Sequence, residues 1–169
     1  MGKMQMSLIG LGLAALVFPL AALAADRPER KADALVRIEK VEVLVSPVGP
    51  VVLLRAGNRA IPVFVDAVVA ESIQAALTGA KLARPLTHDL MHSVLQAFDG
   101  KVAQTVVTLK DRIFYGTLTV IVGKSTKVFD SRSSDAIALA IHFKAPILVS
   151  PELLDSAGVD TEPKDPRML

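Results

Sequence analysis

Hydrophobic and polar positions alternate through Val41, Val43 and Val45, which predicts a half-buried strand in "VRIEKVEVLVS", Val36 to Ser46. "PVVLLRA" follows Pro47 and Gly49 as a second strand. Ala56-Gly57-Asn58-Arg59 then reads as a hairpin turn into "IPVFV", Ile61 to Val65. There the period lengthens from two residues to about 3.6. In "DAVVAESIQAAL", Val69, Ile73 and Leu77 recur one helical turn apart, Asp66 is a favourable N-cap, and Gly79 stands where a left-handed C-cap belongs. A second helix is predicted from about Thr87 to Phe98, with Thr87 as N-cap, Asp89 in the first turn and an apolar stripe of Leu90, Met91, Val94, Leu95 and Phe98. Strands resume in "VAQTVVTL", turn at Lys110-Asp111-Arg112, and continue through "IFYGTLTVIV", a turn near Gly123-Lys124, and "KVFD". "SDAIALAIHF" predicts a third helix, apolar nearly all round and so buried. "PILVS" reads as a short strand and "PELLDSAG" as a short helix, before a polar tail over 159–169.

The chain echoes itself. Displaced by 64 positions, "FVDAVVAESIQAAL" lies on "VFDSRSSDAIALAI", with Asp66 on Asp130, Glu71 on Asp135, Ile73 on Ile137 and Leu77 on Ile141. Each copy follows about three strands, so the expected fold is α+β: a compact β-rich domain built from a duplicated β-β-β-α unit, with the Thr87 helix inserted between copies. Two strand-to-helix junctions obeying the same capping rules would also look alike.

The first residues change the extent of the domain. Lys3 precedes an uncharged apolar run, Leu8 to Leu23, and Ala22-Leu23-Ala24 offers small residues at the positions a signal peptidase reads. Pro19 argues against a stable span. The expected organisation is a signal peptide over 1–24, a charged linker over 25–35 and a domain over 36–158, exported to the periplasm or secreted and not held in the membrane after cleavage. The 169 residues contain no cysteine, which excludes a disulfide framework and thiolate metal sites. Nineteen Lys and Arg face 17 Asp and Glu; without Lys3 the net charge is +1. Nucleic acid, if it binds, must be gripped by a local site rather than by a broad basic field.

Two loops offer such chemistry. "ARPLTHD", Ala83 to Asp89, and "DSRSSDA", Asp130 to Ala136, each place an arginine before a helix start and an acid in its first turn. Helix N-termini attract anions, and a guanidinium adds a bidentate phosphate partner. If the loops converge, Arg84 and Arg132 are the substrate-binding candidates, and His88, Asp89 and Asp135 the catalytic ones, moving protons or holding a metal-bound water. The competing arrangement is structural: each aspartate complements its helix dipole, the arginines and aspartates brace one another, and Thr87, Ser133 and Ser134 merely cap. His88 and His92 share one helix face, the spacing of a metal pair, but no third ligand is evident. A divalent ion such as Mg²⁺ would suit carboxylates at such a site, though the sequence does not demand it. No glycine-rich phosphate loop or G-x-S-x-G elbow is present.

Together, "RPLTHDL", "DRIFYGTL", "DSRSSDAIALAI" and "APILVS" resemble the bifunctional nuclease domain family, over about Val36 to Gly158. The resemblance implies a compact, self-associating α+β domain, hence a homo-oligomer, and nuclease activity hydrolysing phosphodiester bonds of DNA and RNA. The family's Arg-Pro-Leu-Thr-His-Asp falls on Arg84 to Asp89, and its Asp-x-Arg-Pro-Ser-Asp-Ala on Asp130 to Ala136, with Ser133 in place of proline. Near the first helix the family pattern resembles P-I-W-I-G-x-x-E-A; here "PVFVDAVVA" has Phe64 for Trp, Asp66 for Gly and Val69 for Glu, and Glu71 lies nearly opposite Val69 on the helix. That departure, with the near-neutral charge, sustains a second reading: a non-catalytic oligomeric binding or scaffold module of the cell envelope.

Overall fold

A computed structural model describes residues 34–161 of the chain. The expected signal peptide, most of the linker and residues 162–169 of the tail lie outside the described residues. The first half begins with β1 (Val36–Arg37), β2 (Lys40–Ser46), β3 (Gly49–Ala56) and β4 (Arg59–Phe64), followed by α1 (Ala67–Thr78). After α2 (Thr87–Ala97) come β5 (Gly100–Lys110), β6 (Ile113–Val122), β7 (Ser125–Arg132) and α3 (Ser133–His142). β8 (Ile147–Val149), α4 (Pro151–Ala157) and β9 (Val159–Asp160) complete the α+β domain. Three antiparallel strands followed by a helix thus occur twice, as β2–β4 with α1 and β5–β7 with α3.

The strands form two sheets, β1-β8-β5-β6-β7 and β2-β3-β4-β9. β9 pairs antiparallel with β4 through Arg59–Asp160 and Ala60–Val159, so the segment expected to be a polar tail begins as an edge strand. Asp111 and Arg112 have φ of 51° and 65°, which closes the two-residue β5–β6 turn without a glycine. Val52, Leu54, Ile61, Ile73, Val107, Ile137 and Val149 are buried in one core shared by both sheets, α1 and α3. Val102, Leu118, Val120, Ala136 and Leu139 fill a second between α3 and the β5–β6 pair. α3 lies in both, as its nearly uniform apolar surface requires.

Helix starts differ from their sequence reading in one respect. Asp66 caps α1 as expected, its Oδ1 accepting the Val69 N–H at 2.9 Å, and Gly79 closes that helix at φ 71°. α2 instead takes Leu86 as N-cap, and α3 takes Arg132; neither offers a side-chain cap, and Thr87, Ser133 and Ser134 are already helical. In α2 an acid takes over. Asp89 Oδ2 accepts the Leu86 N–H at 2.9 Å, the acidic half of a capping box whose other half a leucine cannot supply. The α2 stripe also differs: Leu90, Met91, Val94 and Phe98 are exposed, and His88 is the buried residue of that helix. Among the described residues no helix is long and apolar enough to cross a membrane.

Gly116 on β6 seats the start of α3. A Cβ there would come within 2.5 Å of Ala136 Cβ and 2.9 Å of the Arg132 carbonyl oxygen. Gly116→Ala is therefore expected to cost about 1–3 kcal/mol, because helix or strand must move. Urea denaturation measures the loss; an unchanged midpoint would contradict this seating.

Candidate functional site at the meeting of two helix starts

The starts of α2 and α3 meet. His88 is the second residue of α2 and Asp135 the third of α3, and His88 Nε2 lies 3.2 Å from Asp135 Oδ1. Arg132, one residue before α3, donates from Nε to Asp135 Oδ2 at 2.7 Å and from Nη2 to Oδ1 at 2.8 Å. Its Nη1 lies 3.6 Å from Asp66 Oδ2, which ties the start of α1 to the same group. Burial acts to raise the Asp135 carboxyl, but the hydrogen bonds and charge of Arg132, joined by His88, outweigh it and hold the group below its ordinary value. Asp135 is an ionised acceptor gripped from two sides.

These side chains border a groove of about 750 Å³. Thr87, His88, Met91 and Leu95 of α2 form one wall, and Leu118, Val120, Phe129 and Asp130 of β6 and β7 the other. Asp66, Val69, Arg132 and Asp135 close one end. The groove is mainly apolar, with its polar groups gathered at that end, the usual layout of a small-ligand site. Asp66, Asp130 and Asp135 outnumber the cations Lys127 and Arg132 along it, so an anion must compete for Arg132 rather than be drawn in by a general field.

Of the residues singled out in the sequence, His88, Asp135 and Arg132 come together at the groove. Asp89 points away, its Oδ1 3.8 Å from His142 Nδ1. Arg84 is exposed ahead of α2, does not line the groove, and has no hydrogen bond or ion pair among the described residues. The four-residue ionic brace is thus half formed: Arg132 pairs with Asp135 and Asp66, Arg84 with neither aspartate. Val69 is buried at the groove end, while Glu71 is exposed and away from it. The acid that reaches Arg132 is Asp66.

Sequence reading missed Ser72 and underrated His142. Ser72 is fully buried on α1 and its Oγ lies 3.2 Å from His88 Nδ1 and 3.1 Å from His142 Nε2. The usable signal was a serine beside Ile73 on the apolar face of α1, where a polar side chain needs a buried partner. Ser72, His88 and Asp135 form the outline of a hydrolase triad, but a fully buried Oγ cannot meet a substrate, so Ser72 is no nucleophile. His88 and His142 stack with ring centroids 6.4 Å apart, and His92 lies 5.9 Å from His142 and edge-on to Phe143 at 4.4 Å. Burial pushes His142 below the ordinary imidazole value; Asp89 opposes this and the neighbouring histidines reinforce it. Among the described residues no group of three or more His, Asp or Glu side chains stands close enough to enclose a metal ion without other ligands.

The family relationship follows from comparison with known proteins. Residues 51–162 match the model of the bifunctional nuclease domain, a span containing every groove residue named above. Uncharacterized proteins from two strains of Mycobacterium tuberculosis are each 34% identical over 113 residues, covering 65% of this chain and 67% of theirs. With more than half of its length matched and the two shared loops meeting at one groove, the chain belongs to the bifunctional nuclease domain family.

Proposed function

We propose that this domain hydrolyses phosphodiester bonds of DNA or RNA at the polar end of the groove. The observation that carries the reading is the contact of His88 Nε2 with Asp135 Oδ1 at 3.2 Å beside the exposed guanidinium of Arg132. Arg132 turns from Asp66 to a phosphate oxygen and stabilises the charge that develops on it. Asp135, held low, is a poor proton acceptor; it holds His88 Nε2 in place until the reacting oxygen takes its position on that nitrogen, and the imidazole then moves the proton to or from that oxygen. Arg84, outside the groove, contacts the substrate backbone beyond the cleaved bond. Export, read from residues 1–24, belongs to the same proposal and places the substrate in the periplasm or outside the cell.

A second reading, the non-catalytic oligomeric module, is favoured by one observation. Leu90 on α2 and Phe98 just after its end are 61% and 70% exposed, and Val128 and Phe129 on β7 are exposed as well. Such faces are the ordinary material of a self-association surface.

Incubation of the protein with single- and double-stranded DNA and RNA, with Mg²⁺ or with EDTA, tests the first reading. Cleavage is expected, and Asp135→Asn and His88→Gln are each expected to lower it on the order of 10²-fold or more. Cleavage no greater than that of the double variant would remove the enzyme claim. The same Asp135→Asn variant checks the ionised pair through stability. Because the folded carboxyl is lowered, the parent's advantage is full above the ordinary value of 3.8 and is lost as pH falls through the lower folded value. Urea titrations of both proteins between neutral and strongly acidic pH read this; an advantage independent of pH contradicts it. For the second reading, light scattering is expected to show an oligomer that Leu90→Glu with Phe98→Glu reduces to a monomer. A monomeric parent rules that reading out.

A further inference from the structure

Behind the groove, polar side chains run in one unbroken line through the helices. Asp135 Oδ1 meets His88 Nε2 at 3.2 Å, His88 Nδ1 meets Ser72 Oγ at 3.2 Å, and Ser72 Oγ meets His142 Nε2 at 3.1 Å. His142 Nδ1 then faces Asp89 Oδ1 at 3.8 Å. The inner members are buried, both imidazoles at 8% exposure and Ser72 at 0%. The groove chemistry above uses the Asp135 end alone.

Hydrogen counting gives this line a direction. A carboxylate only accepts, a neutral imidazole brings one N–H and one lone pair, and a hydroxyl brings one hydrogen. Three hydrogens must therefore serve four contacts. In one ordering His88 Nε2–H donates to Asp135, Ser72 O–H donates to His88 Nδ1, His142 Nε2–H donates to Ser72, and His142 Nδ1 is bare toward Asp89. In the other every hydrogen is shifted, His142 Nδ1–H donates to Asp89, and His88 Nε2 is bare toward Asp135. The distances select the first: its three filled contacts are 3.1–3.2 Å, and the empty one, at 3.8 Å, lies outside hydrogen-bond reach. The two orderings differ only in hydrogen positions on the same heavy atoms.

We propose that Ser72, His142 and Asp89 form a proton relay that keeps His88 neutral while its Nε2 gives up or takes a proton, acting as positioning residues for the chemistry at the groove. This rests on the phosphodiester reading. The leaving oxygen takes the place of Asp135 Oδ1 on His88 Nε2 and accepts its proton, so that one O–H bond forms as one N–H bond breaks. Ser72 passes its hydroxyl proton to His88 Nδ1, His142 passes its Nε2 proton to Ser72, and His142 Nδ1 takes a proton from water at the Asp89 end. One proton leaves at the groove and one enters at the far end, with no charge stored between. The line then stands in its shifted order, and it returns to the resting one by running backwards as His88 Nε2 takes the proton of the attacking water.

Asp89 suits the far end. Its Oδ2 is fixed by the Leu86 N–H at 2.9 Å, which keeps Oδ1 toward His142, and the side chain is 33% exposed, enough for water to reach it. The groups facing His142 are Asp89, His88 and His92 from α2 and Ser72 from α1; those around His88 are Asp135, Ser72 and His142, with Arg132 and Asp66 beyond Asp135. Burial acts to keep His142 neutral, which both orderings of the line require.

The test compares the full chain with Ser72→Ala and His142→Gln, using imidazole ¹⁵N NMR across pH and cleavage kinetics. Glutamine keeps an N–H for Ser72 but has no second nitrogen to take up a proton. In the parent, neutral His142 is expected to carry its hydrogen on Nε2, and the His88 nitrogens are expected to respond when His142 protonates, below the ordinary imidazole value of 6.5. Ser72→Ala should abolish that response. Both variants should lower kcat on the order of tenfold or more at unchanged KM and alter the pH–rate profile. Unchanged His88 signals and kcat in either folded variant overturn the relay, as does a loss of melting temperature with the pH profile intact. If Ser72→Ala fails to fold, His142→Gln carries the test. Coupled imidazoles without cleavage by the parent overturn the nuclease reading and the catalytic use of the relay; cleavage without coupling overturns the relay alone.

Discussion

A hydroxyl with no exposed surface, Ser72 Oγ, stands between two imidazoles that belong to different helices. Burying either imidazole without a partner would cost about 1–3 kcal/mol, and the hydroxyl would add a cost of its own. Their mutual contacts remove these costs together. The start of α2 and the end of α3 can thereby pack against α1 at a place where apolar residues would otherwise be required. Asp89 and Asp135 terminate the line in carboxylates that are partly open to water. Polar groups inside are satisfied, and charge remains at the rim.

That arrangement leaves the groove chemically lopsided. Its long walls are apolar, while Asp66, Arg132, Asp135 and His88 crowd one end. Arg132 is shared between two carboxylates, so the guanidinium is held in place but not free. A phosphate arriving there exchanges one anionic partner for another, which disfavours loose binding at a distance and favours a ligand that fits. Asp66 serves two masters, capping α1 through Oδ1 and facing Arg132 through Oδ2. Val69, in the first turn of α1, contributes apolar wall at that end.

Much of the architecture was legible in one dimension. The strand alternation of β2, the Asp66 and Gly79 ends of α1, and the unbroken apolar run of α3 follow from local periodicity and capping, which depend on neighbours a few residues apart. The α2 stripe was legible too, but its role was not. Leu90, Met91, Val94 and Phe98 have the spacing of a core face and yet are exposed, because periodicity reports that a face is apolar and not what covers it. The cap of α2 shifted by a residue for a similar reason: Thr87 has capping chemistry, but Asp89 at the third helical position accepts the Leu86 N–H from inside the first turn.

For the site, residue types alone placed an arginine and an acid at each of two helix starts and could go no further. Sequence determined which groups were available: His88, Asp89, Arg132 and Asp135, in loops that also carry the family resemblance. Tertiary structure decided which of them meet. It set Asp135 between Arg132 and His88, turned Asp89 to the opposite side, left Arg84 in solvent, and drew in Ser72 and His142 from 16 positions before His88 and 70 positions after Ser72. Helix capping is a local bargain that a sequence states openly. Contacts between helices that start far apart in the chain depend on how whole layers pack, and no short stretch of residues encodes that distance.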